Sequence, residues 1–373
     1  MRAGIALIAA SLILAAAQIP QPVLAAALRP SVAAGSAILI EGRTGTVLFE
    51  RAADLRRPPA STTKVLTALL VVERLRPETM VTISPRASAQ RSGAAIGLEP
   101  GELWRADVLM DALMLASAND AALALAEAVG GSVEGFAALM NQRARAAGAT
   151  RSTFVVPHGL YHPEHLTTSR DLALIAREAL RHPAFAAVAR RQVFTWQRQG
   201  LPPRVIVNRN RLLWTFRGAD GVKTGWIRQS GQCLVASATR DGRQLIAVVM
   251  DSADVFGDSA RLLDYGFNNF RLTRAAARGE VVLRQAPDGA ADPLEAVVAE
   301  DLFVVTPPIA LRREVRLRAD LRPPIHAGQR VGELLIYAGS AVVGRARVAA
   351  VSDIEAHSVW RQLEQWMRGL MNR

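Results

Sequence analysis

The sequence predicts a mixed α/β (α+β) protein: helices packed on an antiparallel sheet, followed by a small, separate all-β domain. Three observations carry this reading. Strand-like runs open and close the first 273 residues, with helical runs between them. Asp241-Gly242 is a strong hairpin signal, which makes the two closing runs beside it antiparallel. After Arg274 the helical texture gives way to short β-like runs separated by Gly and Pro. A chain of 373 residues is long enough for about two cores.

Taken in order, the chain begins with Arg2, an apolar run from Ile5 to Ala17 and small residues at Ala25-Ala26-Ala27. This is the order of a secretory signal peptide, placed at residues 1–26 with cleavage between Ala25 and Leu28; the run is short for a membrane span. No cysteine near the cut offers a lipid attachment point. The runs 36–40 and 47–49, joined by Arg43-Thr44-Gly45, read as a hairpin. Pro58-Pro59 stops regular structure, and a helical pattern runs from Ser61 to Leu75. An alanine- and leucine-rich helical block covers 105–147, interrupted at Ser117-Ala118-Asn119, which is expected to be an exposed loop. Thr167-Thr168-Ser169-Arg170-Asp171 starts another helix that ends near Arg181, and 196–211 reads as strand and loop. Three short strands follow, at 222–224, 234–238 and 245–250, and a helix from about Ser259 to Phe270 closes a domain of residues 27–273.

The β-like runs 281–283, 302–305, 315–317, 334–337 and 342–343 define the second domain, a β-sandwich over 274–351. In the last segment, 352–373, Val359, Trp360, Leu363, Trp366, Met367, Leu370 and Met371 share one helical face. With its tryptophans and net positive charge, this helix suits the interface of an anionic membrane surface rather than a span.

Composition excludes several classes. Half the residues are hydrophobic and 21% are charged, as in a folded protein. The net charge of +12 is scattered in short pairs such as Arg56-Arg57 and Arg190-Arg191, so no nucleic-acid partner is expected. Cys233 is the only cysteine; no intramolecular disulfide can form, and its place in an apolar strand makes it a small buried hydrophobe.

The chemistry starts from an imbalance. Of 45 basic residues only Lys64 and Lys223 are lysine. Arginine keeps its proton near neutral pH, whereas a desolvated lysine can become a neutral amine. The two lysines therefore mark positions where arginine would fail. Ser61 stands at a helix start with Lys64 one turn on, so hydroxyl and amine share a face. A serine hydroxyl needs a base to become a nucleophile, and burial plus the charge of Lys223 would depress Lys64 enough to serve. Helix-start N–H groups suit an oxyanion. Ser117-Ala118-Asn119 adds a hydroxyl and an amide; Lys223-Thr224-Gly225 adds a cation and a hydroxyl beside a glycine that lets a substrate backbone approach. Each triplet alone recurs by chance, the first as an ordinary helix cap with a surface lysine; the ordered set is specific.

With these motifs, and with Pro59-Ala60-Ser61-Thr62-Thr63-Lys64, His158-Gly159-Leu160, 220–225 and 234–239, the chain resembles the serine penicillin-recognising enzymes. The D-alanyl-D-alanine carboxypeptidases among the low-molecular-mass penicillin-binding proteins (S11 peptidases) are the nearest in kind. The resemblance spans nearly the whole mature chain. It implies a β-lactamase/transpeptidase-like domain that trims peptidoglycan stem peptides on the periplasmic face of the inner membrane, and that β-lactams acylate. It also implies roles. Ser61 attacks, Lys64 is the base, Ser117 passes a proton to the leaving D-alanine and Asn119 orients the peptide. Lys223 and Thr224 bind the terminal carboxylate beside Gly225, and the N–H groups of Ser61 and Trp226 form the oxyanion hole.

No cofactor and no metal is implied; His158, His162 and His165 have a suggestive spacing but lack convincing acidic or thiol company. Two departures stand out: tryptophan at 226, where relatives carry histidine or tyrosine, and Val255, near where some relatives place a carboxylate-binding arginine. Three alternatives remain at this stage: a β-lactamase, a DD-endopeptidase on the same fold, and a non-catalytic wall-binding protein.

Overall fold

The computed structural model describes residues 29–356 except 289 and 291. The expected leader at 1–26, and residues 357–373 of the expected C-terminal helix, lie outside them. The chain divides between Leu272 and Thr273 into two compact units.

The first unit runs β1 (Ser36–Glu41), β2 (Val47–Arg51), α1 (Lys64–Arg74), β3 (Met80–Thr82), α2 (Pro85–Ser88), β4 (Leu103–Arg105) and α3 (Ala106–Asp111). Next come α4 (Asn119–Gly130), α5 (Val133–Ala146), α6 (Ser169–Leu180), α7 (Pro183–Ala189), β5 (Val193–Trp196), β6 (Arg204–Val207) and α8 (Leu212–Thr215). It ends with β7 (Ala219–Ile227), β8 (Gly231–Arg240), β9 (Arg243–Ser252) and α9 (Val255–Asn269). Its main sheet is antiparallel with strand order β2-β1-β9-β8-β7.

Residues 245–250 of β9 are buried without interruption, because both faces of the sheet are covered. Ile38, Ile246, Val248 and Val235 join the large helical core with α1 and α4 to α6. The alternate set includes Leu39 and Leu245, which meet α9 at Gly266. The Asp241-Gly242 turn has positive φ at both residues (51° and 73°), the twist that suits a two-residue hairpin.

Helix α9 starts four residues before the expected Ser259. Asp254 caps it by accepting from the Gly257 N–H at 3.0 Å, so Val255 and Phe256 fall in its first turn. Ser117-Ala118-Asn119 breaks the helical block as expected, but it is not exposed. Ser117 and Asn119 are 4% and 3% accessible, because the break faces inward between the helices and the sheet edge.

The second unit holds the sheet β11 (Val281–Gln285)–β12 (Leu294–Val298)–β16 (Ala341–Ala350)–β15 (Arg330–Ala338)–β14 (Leu311–Leu317). The pair β10 (Arg271–Ala276) and β13 (Leu302–Thr306) accompanies it. The strands β10 and β12 were not foreseen. The unit also runs past the expected boundary at 351: Ile354 bridges Ile325 and is 2% exposed in the unit's core. Among the described residues no single helix is long and apolar enough to cross a membrane.

Candidate active site

Three elements converge on one cleft of about 610 Å³. The first is a 3-10 turn, Ala60–Thr63, that leads into α1. Ala60 carries φ +50°, and the turn is tied back on itself by Thr62 and Thr63, whose hydroxyls donate to Pro59 O (2.6 Å) and Ala60 O (2.8 Å). This sets Ser61 at the cleft wall with Lys64 beneath it. A Cβ on Gly159 would stand 1.8 Å from Ala60 O, so only glycine lets the 158–160 segment lie against the turn.

The second element is the break before α4. Ser117 adopts the left-handed conformation (φ 63°, ψ 31°), and its hydroxyl has no hydrogen-bond partner among the described residues. Asn119 opens α4 and faces two ways: its Oδ1 accepts from Lys64, while its Nδ2 donates to Ser92 O at 2.8 Å. The neighbouring Asp120 carboxylate accepts from the N–H groups of Ile96, Gly97 and Leu98, fixing the loop that supplies Gly93 and Ala94 to the cleft.

The third element is the edge strand β7. Thr224, Gly225 and Trp226 line the cleft, with Trp226 66% exposed on its rim, while Lys223 lies beneath at 2%. A Cβ on Gly225 would sit 3.0 Å from the backbone nitrogens of Ser61 and Thr62, so glycine lets the strand press against the nucleophile turn.

Lys64 is completely buried. Its Nζ lies 3.0 Å from Ser61 Oγ, 2.6 Å from Asn119 Oδ1 and 2.7 Å from His158 O. Burial, then the charges of Lys223 and Arg209, hold this amine well below the usual lysine range. Lys223 is pushed down to about 7, mainly by burial and then by Arg209; its Nζ donates to Thr224 O at 3.2 Å.

All eight residues expected from the sequence therefore gather around one cleft, six on its wall and the two lysines below it. The structure adds Arg209, Arg211 and Phe256 to the same cleft; Leu160 and Val255, noted in the sequence without a role, line it too, and His158 enters through its backbone carbonyl. No side-chain type signals a backbone carbonyl. The arginines could have been found from the polar alternation Asn208-Arg209-Asn210-Arg211 after a strand run. Val255 is where the departure was expected to matter. Arg261 gives no substitute, because its guanidinium is engaged by Asp254 and Asp258.

The histidines have other partners. His165 Nδ1 accepts from Val155 N–H at 3.0 Å and its Nε2 meets Thr63 Oγ1 at 2.8 Å; His158 Nδ1 accepts from Leu160 N–H. Among the described residues no three His, Cys, Asp or Glu side chains are placed to hold a metal.

A serine beside a buried amine, on a helix start flanked by an edge strand, defines a serine hydrolase of the penicillin-recognising class. Residues 23–254 match the D-alanyl-D-alanine carboxypeptidase family model. The chain is 30% identical to D-alanyl-D-alanine carboxypeptidase DacF of Bacillus subtilis, over 86% of each chain. It is 38% identical to DacC of Escherichia coli over 65% of this chain and 63% of that one. Penicillin-binding protein 5 of Haemophilus influenzae superposes with a TM-score of 0.81 at 27% identity, covering 88% of this chain and 99% of that one. The chain belongs to the D-alanyl-D-alanine carboxypeptidase family of S11 peptidases and is a serine-type hydrolase; the family acts on peptidoglycan peptides and binds β-lactams.

The depressed amine at Lys223 has a consequence for stability. Between about pH 7 and the usual lysine pKa near 10.4, the unfolded chain binds a proton there that the folded chain lacks, so folding stability rises with pH across that window. Below pH 7 the full cost of the buried charge is present. Lys223→Met should raise stability at pH 6 by on the order of a few kcal/mol and flatten the rise above pH 7. Denaturant titrations at pH 6, 8 and 10 check this; an equal change at all three pH values would count against it.

Proposed function

We propose that this protein removes the terminal D-alanine of peptidoglycan stem pentapeptides through an acyl-enzyme on Ser61. The observation that carries the assignment of roles is the setting of Lys64. Asn119 Oδ1 and His158 O are acceptors only, so each requires an N–H from the amine. A neutral amine has two N–H groups and one lone pair. With both N–H groups taken by the carbonyls, the lone pair is left for the Ser61 hydroxyl 3.0 Å away.

In this mechanism Ser61 Oγ attacks the carbonyl between the last two D-alanines as its proton passes to Lys64. The oxyanion is held by the N–H groups of Ser61 and Trp226. The C–N bond breaks as a proton reaches the departing nitrogen by way of Ser117, whose hydroxyl is free for that relay. Asn119 orients the peptide, and Lys223 and Thr224 hold the terminal carboxylate beside Gly225. Water then cleaves the ester, returning Ser61 and the shortened stem. A β-lactam would acylate Ser61 by the same attack, its ring-opened amine remaining tethered.

We further infer that the mature enzyme is exported, with residues 1–26 as its leader, and sits at the periplasmic face of the cytoplasmic membrane. Residues 357–373 would rest in the anionic interface. The order of charge, apolar run and small residues supports the first statement, and the apolar face of the last segment supports the second.

Lys64→Arg should lower the rate of acylation by a fluorescent penicillin by about a thousandfold, within the usual range for loss of a general base. The new side chain stays charged. Retained acylation in a folded Lys64→Arg protein would contradict the base role. Removing 357–373 should shift the protein from the membrane to the soluble fraction, with penicillin binding intact. The cut falls after Ala356 because Ile354 belongs to the β core. An unchanged distribution would contradict the anchor.

A further inference from the structure

His158, His162 and His165 stand out by their spacing, and the mechanism uses only the backbone carbonyl of His158. His165 is 1% exposed and among the described residues belongs to no metal-holding cluster. A buried imidazole beside the nucleophile turn therefore has no task yet.

Its hydrogen bonds admit one direction. Nδ1 accepts from Val155 N–H at 3.0 Å, with Val156 N–H at 3.4 Å, so Nδ1 carries the lone pair. A neutral ring then has its hydrogen on Nε2, which lies 2.8 Å from Thr63 Oγ1. Thr63 Oγ1 lies 2.8 Å from Ala60 O. A carbonyl only accepts, so the single hydroxyl hydrogen goes to Ala60 O, and Thr63 Oγ1 receives the ring N–H. The series runs from Val155 N–H to His165, from His165 to Thr63, and from Thr63 to Ala60 O. Burial, then the charge of His162, lowers the His165 imidazole to about 3, so the ring is neutral near pH 7.

The end of this series carries its consequence. Ala60 C=O and Ser61 N–H belong to one peptide group, and that N–H is an oxyanion donor in the mechanism above. A hydrogen bond accepted by a peptide oxygen draws electron density off the nitrogen and makes the N–H a stronger donor; buried bonds in line polarise one another. The same contact fixes direction. Ala60 sits at φ +50°, a strained conformation for alanine that persists only where its surroundings hold it. Thr62, by contrast, ties Pro59 O, one peptide further back. The ring is itself held. Phe154 meets it edge-on with centroids 5.5 Å apart, and the adjoining Leu166 exchanges two backbone bonds with Thr153, at 2.8 and 3.1 Å. Thr167 pairs likewise with Arg57, four residues before Ser61.

We propose that His165 is a positioning residue of the active site: through the Thr63 hydroxyl it aims and strengthens the Ser61 N–H that receives the oxyanion. This rests on the acyl-enzyme reading above.

The test uses the full chain and two readouts. One is acylation by a fluorescent penicillin, resolved into non-covalent affinity and the rate of the acylation step. The other is the infrared band of the Ser61 ester formed from a penicillin ¹³C-labelled at its reacting carbonyl; that band falls in frequency as the oxyanion donors strengthen. His165→Phe keeps a ring without a donor. It should slow the acylation step by about 10- to 30-fold, short of the roughly hundredfold or more that losing an oxyanion donor outright costs. Affinity should be unchanged and the ester band should move up. Thr63→Val, which removes only the linking hydroxyl, should do the same. The double variant should be no slower than the slower single one, because both break one series. His165→Gln, whose Nε2 can donate to Thr63, should recover most of the rate, and it serves if the phenylalanine variant fails to fold. Unchanged rates, additive losses, or an unshifted ester band in a slowed variant would overturn the proposal and leave the acyl-enzyme reading intact. A folded wild-type protein that the penicillin does not acylate would overturn both.

Discussion

Everything in this site follows from where one amine is held. Lys64 is buried with no carboxylate in contact among the described residues, and it touches two carbonyl oxygens and one hydroxyl. A buried charge without a counter-ion is costly, and that cost, with the charges of Lys223 and Arg209, pulls the proton affinity of this amine down. In the neutral form proposed above, the two carbonyls would account for both N–H groups and the hydroxyl would face the lone pair. An arginine could not release a proton in the same setting. Its guanidinium also has no lone pair to accept the Ser61 proton, so of the 45 basic residues a lysine suits this position and an arginine does not.

The surrounding fold keeps that contact in place. The nucleophile turn is held by its own threonines, by the 158–160 segment pressed against Ala60, and by β7, whose Gly225 admits the strand to the Ser61 and Thr62 nitrogens. Asn119 couples Lys64 to the loop bearing Ser92 and Ala94, and Asp120 ties down the rest of that loop. The basic surroundings do two jobs. They add to the burial that depresses the amines, and they leave an anion-seeking cleft with no acidic residue on its wall among the described residues.

Much of this was legible in the sequence, for definite reasons. The hairpin 36–51, the helix after Pro58-Pro59 and the strand pair around Asp241-Gly242 are written in local turn and period signals. The scarcity of lysine singled out two site residues before any geometry was known. Other features were not legible because they depend on tertiary contact. The burial of Ser117 and Asn119 arises from the packing of their helix break against the sheet edge, although polar composition pointed to solvent. The early start of α9 goes with the Asp254 cap and places Val255 and Phe256, both on the cleft wall, in its first turn. Ile354 belongs to the β unit through one bridge to Ile325, a pairing no local pattern could announce. Residues 1–26 and 357–373, read from the sequence as a leader and as part of a membrane-surface helix, lie outside the described residues.

The central claim is that Lys64 is a neutral amine at the pH where the enzyme works, and the chain's composition makes this directly measurable. With only two lysines, protein labelled with ¹³C at lysine gives two side-chain Cε signals, which Lys223→Met assigns. Titrated by NMR, the Lys64 signal should report an uncharged amine at neutral pH and gain its proton only well below the usual lysine range. A Lys64 signal that stays charged through neutral pH and titrates near 10.4, as an ordinary lysine does, would contradict the account.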